Sequence, residues 1–236
     1  MPPDTSSSYA SGPLSVLLRR ELALLGPLLG GIYGVWGLHI RPHEHAPVTL
    51  PPHLLSAVVE LALDDTGCCG GSLRCEPGQL PFASESFKLV VAQHVLEQVA
   101  GADIGAEELA RVLAPEGVAL LFGFNPASLW RPWVSRRLRG GLQFASAGGW
   151  RQRLERAQLD VLQVRYIGPW GPWAAAESDG AGGEVRALPV LGRFGASWLL
   201  IARKRRSTLT PLRLSAARSD LKLNPTLVSG AHRECA

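Results

Sequence analysis

The sequence predicts an α/β protein built on a mostly parallel sheet, and three observations carry that reading. Segments of strand length alternate along the chain with segments of helical periodicity. The strand segments, such as residues 87–92 (FKLVVA) and 118–124 (VALLFGF), are continuously apolar, as in strands covered on both faces. A long Gly/Pro/Trp-rich stretch over 168–192 precedes the last strand, so that strand is free to enter antiparallel.

Each element follows from local chemistry. Residues 1–12, rich in Pro and Ser, are expected to be a disordered leader. Leu14, Leu18, Leu22 and Leu25 then recur on one helical face, with Leu17, Leu24 and Leu28 beside it. Residues 14–25 are therefore an amphipathic helix packed on the domain and stopped near Gly26-Pro27. Residues 35–40 are a short apolar strand, and four prolines within 41–52 keep a long helix from following directly. Residues 57–63 (AVVELAL) are a second strand or a short helix, closed by Asp64-Asp65 and a turn over 67–72.

After the strand at 87–92 come residues 94–99 (HVLEQV) and a helix over 106–113. Glu107 and Glu108 lie in its first turn and Arg111 in its last, as the macrodipole favours, with Leu109, Val112 and Leu113 as the apolar face. Pro115-Glu116-Gly117 turns the chain into the strand at 118–124. A helix over 150–158, a strand over 161–167 and a last strand over 198–202 complete the set. The expected organisation is one domain over 13–206 followed by a basic, disordered tail over 207–236.

Composition narrows the function classes. The 236 residues are 46% hydrophobic, enough for a real core, and carry a net charge of +4. From Arg203 onward eight Lys/Arg stand against two Asp/Glu, a local +6, which leaves −2 for the body. The excess belongs to the tail, and the body has no nucleic-acid signature. The four cysteines do not make a disulfide scaffold in a chain this long and read as a reduced, cytosolic set. Cys68, Cys69 and Cys75 match no common zinc spacing, and His39, His43 and His45 lack a second ligand group, so no metal site is expected. Residues 22–40 contain no charged side chain, but Pro27 and five glycines break the run, so no transmembrane span is expected and the cytoplasm is the expected compartment.

The segment 78–124 is specific. GQLPFASESFKLVVAQHVLEQV, followed by EELARVLAPEGVALLFGF, resembles the class I S-adenosylmethionine-dependent methyltransferases of the type 11 branch. GFNPASLW and the closing LLIARKRRSTLTPLR are similar to a bacterial subgroup of that family. The resemblance implies a Rossmann-like, mostly parallel seven-stranded sheet with helices on both faces and the last strand antiparallel. It implies S-adenosylmethionine as cofactor, bound outside the carboxyl ends of the strands where the topology switches.

Carried onto this sequence, the resemblance places Gln79 and Leu80 on the adenine side, and Gln93 and His94 after the fourth strand as a wall of the methyl-transfer pocket. It implies an acidic ribose partner at the end of the second strand. Asp64 or Asp65 is the candidate, with Glu60 open on strand register; a carboxylate is acceptor-only and suits a diol. The family's glycine-rich first motif is absent, and Gly37 belongs to the glycine-bearing strand that stands in its place. Lys88 stands where the family has Asp, and Gln98 where it has a second His.

The sequence singles out no acid/base pair, as expected where catalysis comes from holding donor and acceptor in near-attack geometry. Asn125-Pro126 reads as a loop turn, while Trp130-Arg131-Pro132-Trp133 and the Gly-Pro-Trp repeat at 168–173 fall where this fold carries substrate-facing loops. The leading expectation is a methyltransferase acting on an unspecified acceptor. The alternative from another class is a non-catalytic methyltransferase-like scaffold that binds a partner.

Overall fold

The apolar runs become the strands of one sheet. A computed structural model describes residues 5–64, 67–71, 73–76, 78–97, 105–138, 142–176 and 192–206. Its strands are β1 (Tyr33–Arg41), β2 (Leu54–Leu63), β3 (Cys69–Gly71), β4 (Phe87–Gln93), β5 (Leu113–Phe124), β6 (Leu159–Ile167) and β7 (Ser197–Lys204). They form a seven-stranded sheet in the order β3-β2-β1-β4-β5-β7-β6. β1 pairs in parallel with β2 and with β4, and β4 with β5. The last strand enters antiparallel between β5 and β6, as the long preceding stretch allows. β3 is also antiparallel: the segment read as a turn after β2 folds back on it, with Leu61 opposite Gly71 and Leu63 opposite Cys69.

The helices are α1 (Thr5–Ala10), α2 (Pro13–Ala23), α3 (Gly26–Leu29), α4 (Ala106–Val112), α5 (Trp130–Arg137), α6 (Ala147–Arg156) and α7 (Pro172–Ala176). α4 and α6 bury Leu109, Val112, Trp150 and Leu154 against Leu38, Ile40, Val90 and Leu121 on one face of the sheet. On the other face Leu22, Leu25 and Leu29 pack on Val91, Phe122 and Leu199. A third cluster caps the carboxyl ends of the strands: Tyr9, Leu14, Leu17 and Leu18 meet Phe124, Trp130 and Val134. The prolines of 42–53 act as expected, and β1 passes to β2 through that segment without a helix. At Gly123 the ring of Trp198 lies where a Cβ would stand, so only glycine fits opposite it in the β5–β7 pairing.

Two local expectations are corrected. The leader over 1–12 contains α1, because Tyr9 is buried and stacks on His43 at 5.1 Å, anchoring a serine-rich segment. The aromatic segment from Trp130 is not a loop but α5, whose Pro132 falls in the first turn, where its missing N–H costs nothing. Residues 22–40 divide among α2, α3 and β1, and among the described residues no helix is long and apolar enough to cross a membrane. The described residues belong to one compact unit that ends at Arg206; Met1–Asp4 and the expected tail lie outside them.

Candidate functional site

The sheet order reverses between β1 and β4: from β1 the chain builds outward to β2 and β3, then returns to the other side. In an open α/β sheet this switch point opens a crevice at the strands' carboxyl ends. β1 delivers His39 and Arg41 there, and β4 delivers Gln93 with His94 just beyond it. α2 lies across the same place. Gln93 Nε2 donates to the Leu18 carbonyl at 3.1 Å and to Glu21 Oε2 at 2.9 Å. His94 Nε2 lies 2.9 Å from Glu21 Oε1, with both side chains fully buried.

His94 is the most constrained residue of the site. Its φ of 49° is left-handed, an unusual conformation for a side chain of this size. Stacking of its ring on Phe124, with centroids 3.9 Å apart, and the Glu21 contact hold it there. Burial alone would lower its pKa, but the Glu21 charge and hydrogen bond, with Glu97 behind, outweigh burial and push it up to about 10. Glu97 Oε1 accepts from the Phe124 N–H, tying the exit of β4 to the end of β5. His39 shows the opposite case: burial, then the neighbouring Arg41 charge, drive it down to about 3, so it is neutral. Both His39 ring nitrogens, Gln93 Oε1 and Glu97 Oε2 are buried without a hydrogen-bond partner. Buried polar atoms without a partner are rare in native structures, and a strained, hydrated or functional position is where they occur.

The other candidates divide around this crevice. Asp64 follows the last residue of β2, at the expected rim; Oδ1 accepts from the Cys68 N–H and Oδ2 from Arg74, both at 3.0 Å. The antiparallel pairing of Cys69 with Cys75, through two backbone hydrogen bonds of 2.9 Å, holds that turn. Burial, followed by the neighbouring Cys75, pushes the Cys69 thiol up to about 12. Glu60 lies opposite His39 in the β1–β2 register and 4.0 Å from Arg41, and Asp65 is outside the described residues. Gln79 is exposed, whereas Leu80 is buried and its N–H donates to Glu108 Oε1 at 2.8 Å. Arg111 donates to the Leu80 and Phe82 carbonyls, so α4 pins the whole Leu-Pro-Phe loop. The Arg111 hydrogen bond, helped by the Leu80 N–H and opposed by burial, holds the Glu108 carboxyl below its ordinary range.

Gly37 is not at the rim. It pairs with Val58 and Leu89 inside the sheet, and a Cβ there would come within 2.7 Å of Leu55. Its lack of a side chain serves sheet packing, and the β1 terminus is Ile40-Arg41. After β1, where the sequence lacks a glycine turn, Arg41 Nη1 donates to the carbonyls of Glu44 and Ala46 at 3.0 Å and closes a tight loop. Sequence reasoning also missed Glu21. The signal was present: it lies three and four residues from Leu18, Leu17, Leu24 and Leu25, a lone carboxylate on an otherwise apolar stripe. His43 and His45 stack on each other beside Tyr9, and among the described residues no group of three His, Cys, Asp or Glu side chains is arranged to hold a metal.

Comparison with known proteins agrees with this geometry. Residues 56–121 match the family model of a methyltransferase domain, a span that includes Asp64, the Leu-Pro-Phe loop, Gln93 and His94. The fold is similar to that of an S-adenosylmethionine-dependent methyltransferase, possibly acting on histamine nitrogen, from Thermotoga maritima. That similarity has a TM-score of 0.52 at 14% identity and covers 82% of this chain and 90% of that one. It is also similar to geranyl diphosphate C-methyltransferase from Streptomyces coelicolor A3(2), with a TM-score of 0.50 at 14% identity, over 80% of this chain and 77% of that one. Comparison with the sequences of curated proteins gave no match. The family match and the fold are consistent with the resemblance of the sequence to class I, type 11 methyltransferases.

Proposed function

We propose that this chain is an S-adenosylmethionine-dependent methyltransferase whose donor binds across the carboxyl ends of β2, β1 and β4. The observation that carries the reading is a coincidence of place. The family match and a group of buried polar atoms without hydrogen-bond partners meet where the strand order reverses between β1 and β4.

The residues present fit the nucleoside half of the donor. Asp64 is an acceptor-only group at the end of β2, and its side chain is one-third exposed, so a ribose diol can take the place of the Arg74 contact. Gln79 presents a free-standing amide beside the pinned backbone of Leu80, suited to the edge of an adenine. The donor supplies a sulfonium methyl group for transfer. Gln93 and His94 wall the place where that group would be presented, and in this structure Glu21 of α2 holds both. In this reading α2 is a lid: Glu21 must withdraw before the wall residues can face a ligand. With its pKa near 10, His94 carries a proton at neutral pH and is not a general base in the closed arrangement. Positioning, rather than proton transfer by His94, is then the source of rate. The free thiols of Cys68, Cys69 and Cys75 suit a reducing, cytoplasmic setting.

Thermal unfolding tests the reading. S-adenosylhomocysteine at a hundredfold excess over its Kd should stabilise the chain by about 2.7 kcal/mol, a rise in Tm of roughly 5 to 11 °C at this size. Asp64→Ala should remove most of that rise. No shift at millimolar ligand would instead support the non-catalytic scaffold.

A further inference from the structure

A surface beside the crevice is built from three segments that the donor site does not use. The first is α5, the second the Gly-Pro-Trp repeat that runs into α7, and the third the 3-10 turn at Gly192–Phe194. They are fastened together: Trp130 Nε1 donates to the Pro169 carbonyl at 2.9 Å, and Asn125 Nδ2 donates to the carbonyls of Arg193 and Gly195 at 2.8 and 3.0 Å. Beneath them Trp130 and Val134 are buried in the cluster that caps the strand ends. Outward, large apolar side chains are left in solvent: Trp170 is 49% exposed, Trp173 50%, Phe194 50% and Leu129 45%.

Arginines surround them. Arg131, Arg136, Arg137 and Arg193 are all exposed, and the described residues of the three segments include no Asp or Glu. Arg137 lies over the Trp133 ring at 5.4 Å and Arg131 over Phe144 at 5.6 Å, so the guanidinium groups are held along aromatic faces. The Trp170 and Trp173 rings meet edge to face at 5.3 Å, which fixes the pair as a rigid projection.

From this surface we infer that the chain docks on an anionic lipid surface, with the carboxyl-end rim of the sheet turned to the membrane. Tryptophan is the side chain that settles at the headgroup level, where its ring is half in hydrocarbon and half in water. Arginine beside it reaches lipid phosphates and keeps its stem on apolar surface. Apolar insertion and charge attraction are the two contributions that together bind a monotopic protein. Four exposed arginines, with no Asp or Glu among the described residues of the three segments, complement a negatively charged bilayer and not a zwitterionic one. The surface is independent of donor binding, so failure here leaves the methyltransferase reading untouched.

Vesicle sedimentation of the full chain tests the inference. Binding should be strong to vesicles with about one-third phosphatidylglycerol and weak to pure phosphatidylcholine, and should weaken with salt. Tryptophan emission should shift to the blue on binding. The double variant Trp170→Ala/Trp173→Ala, and separately Arg131→Glu/Arg193→Glu, should each lower the partition coefficient about tenfold or more, with the basic tail still present. Unchanged Tm in both variants excludes misfolding as the cause. Equal binding to neutral vesicles, wild-type partitioning by both variants, or binding to a single-stranded RNA oligomer without vesicle binding would overturn the proposal.

Discussion

Replacing Glu21 by Gln removes one charge from the buried Glu21–His94 pair and leaves its shape intact. In the parent chain the His94 pKa is raised to about 10, above its ordinary 6.5. A raised folded-state pKa adds stability that is fully present below the unfolded value and is lost as pH rises through the folded one. The parent chain should therefore lose stability between about pH 6.5 and pH 10. In Glu21→Gln the partner charge is gone, burial disfavours the imidazolium, and that loss should shrink. Breaking a buried pair by removing one partner costs about 3–5 kcal/mol. Here His94 can shed its proton and the Gln amide can still meet Gln93 and His94, so the lower end applies, about 3 kcal/mol near neutral pH. For a chain of this size that is a fall in Tm of about 6 to 12 °C. Urea melts followed by tryptophan fluorescence across this pH window measure both quantities. The two stability curves should converge towards high pH. Parallel curves, or a variant as stable as the parent at pH 7, would refute the assignment of a charged His94 held by Glu21.

Other expectations can be checked with the same melts. Gly123→Ala places a methyl group inside the Trp198 ring and should cost about 3 kcal/mol, the upper end for overpacking, while Gly148→Ala on α6, whose methyl would make only an ordinary contact with Ser146 Oγ at 3.9 Å, should not destabilise. Glu108→Ala removes the acceptor of the Leu80 N–H and the Arg111 pair. It should cost about 2 kcal/mol, the scale of a hydrogen bond to a charged group, and speed amide exchange at Leu80; unchanged exchange there would mean that α4 does not pin the loop.

The middle of the sheet was legible because β4 and most of β5 are apolar and covered on both faces, which leaves no competing periodicity. β4 lies where its run places it, whereas β5 begins at Leu113 and takes in Pro115-Glu116-Gly117, which the sequence reads as a turn. β3 was not legible: three residues of Cys and Gly carry no strand pattern, and what makes them a strand is mutual hydrogen bonding with β2 and across Cys69 and Cys75. α1 depends on one aromatic anchor, Tyr9, which a serine-rich segment hides. Asp64, Leu80, Gln93 and His94 have positions readable from the sequence because they sit at strand ends or in a spaced motif. Gly37 lies inside the sheet rather than at its rim, a matter of register that glycine spacing does not fix, and Leu55 packs where a side chain would be. Glu21 belongs to the crevice through tertiary packing of α2, so only its oddness on an apolar stripe was visible in the sequence.

Calorimetric titration of S-adenosylhomocysteine into the full chain and into Glu21→Gln tests the central claim most directly. The account predicts one ligand per chain in both, with tighter binding in the variant because neutral hydrogen bonds hold α2 down less firmly than the buried pair does. Absence of heat from both proteins at millimolar ligand would contradict it.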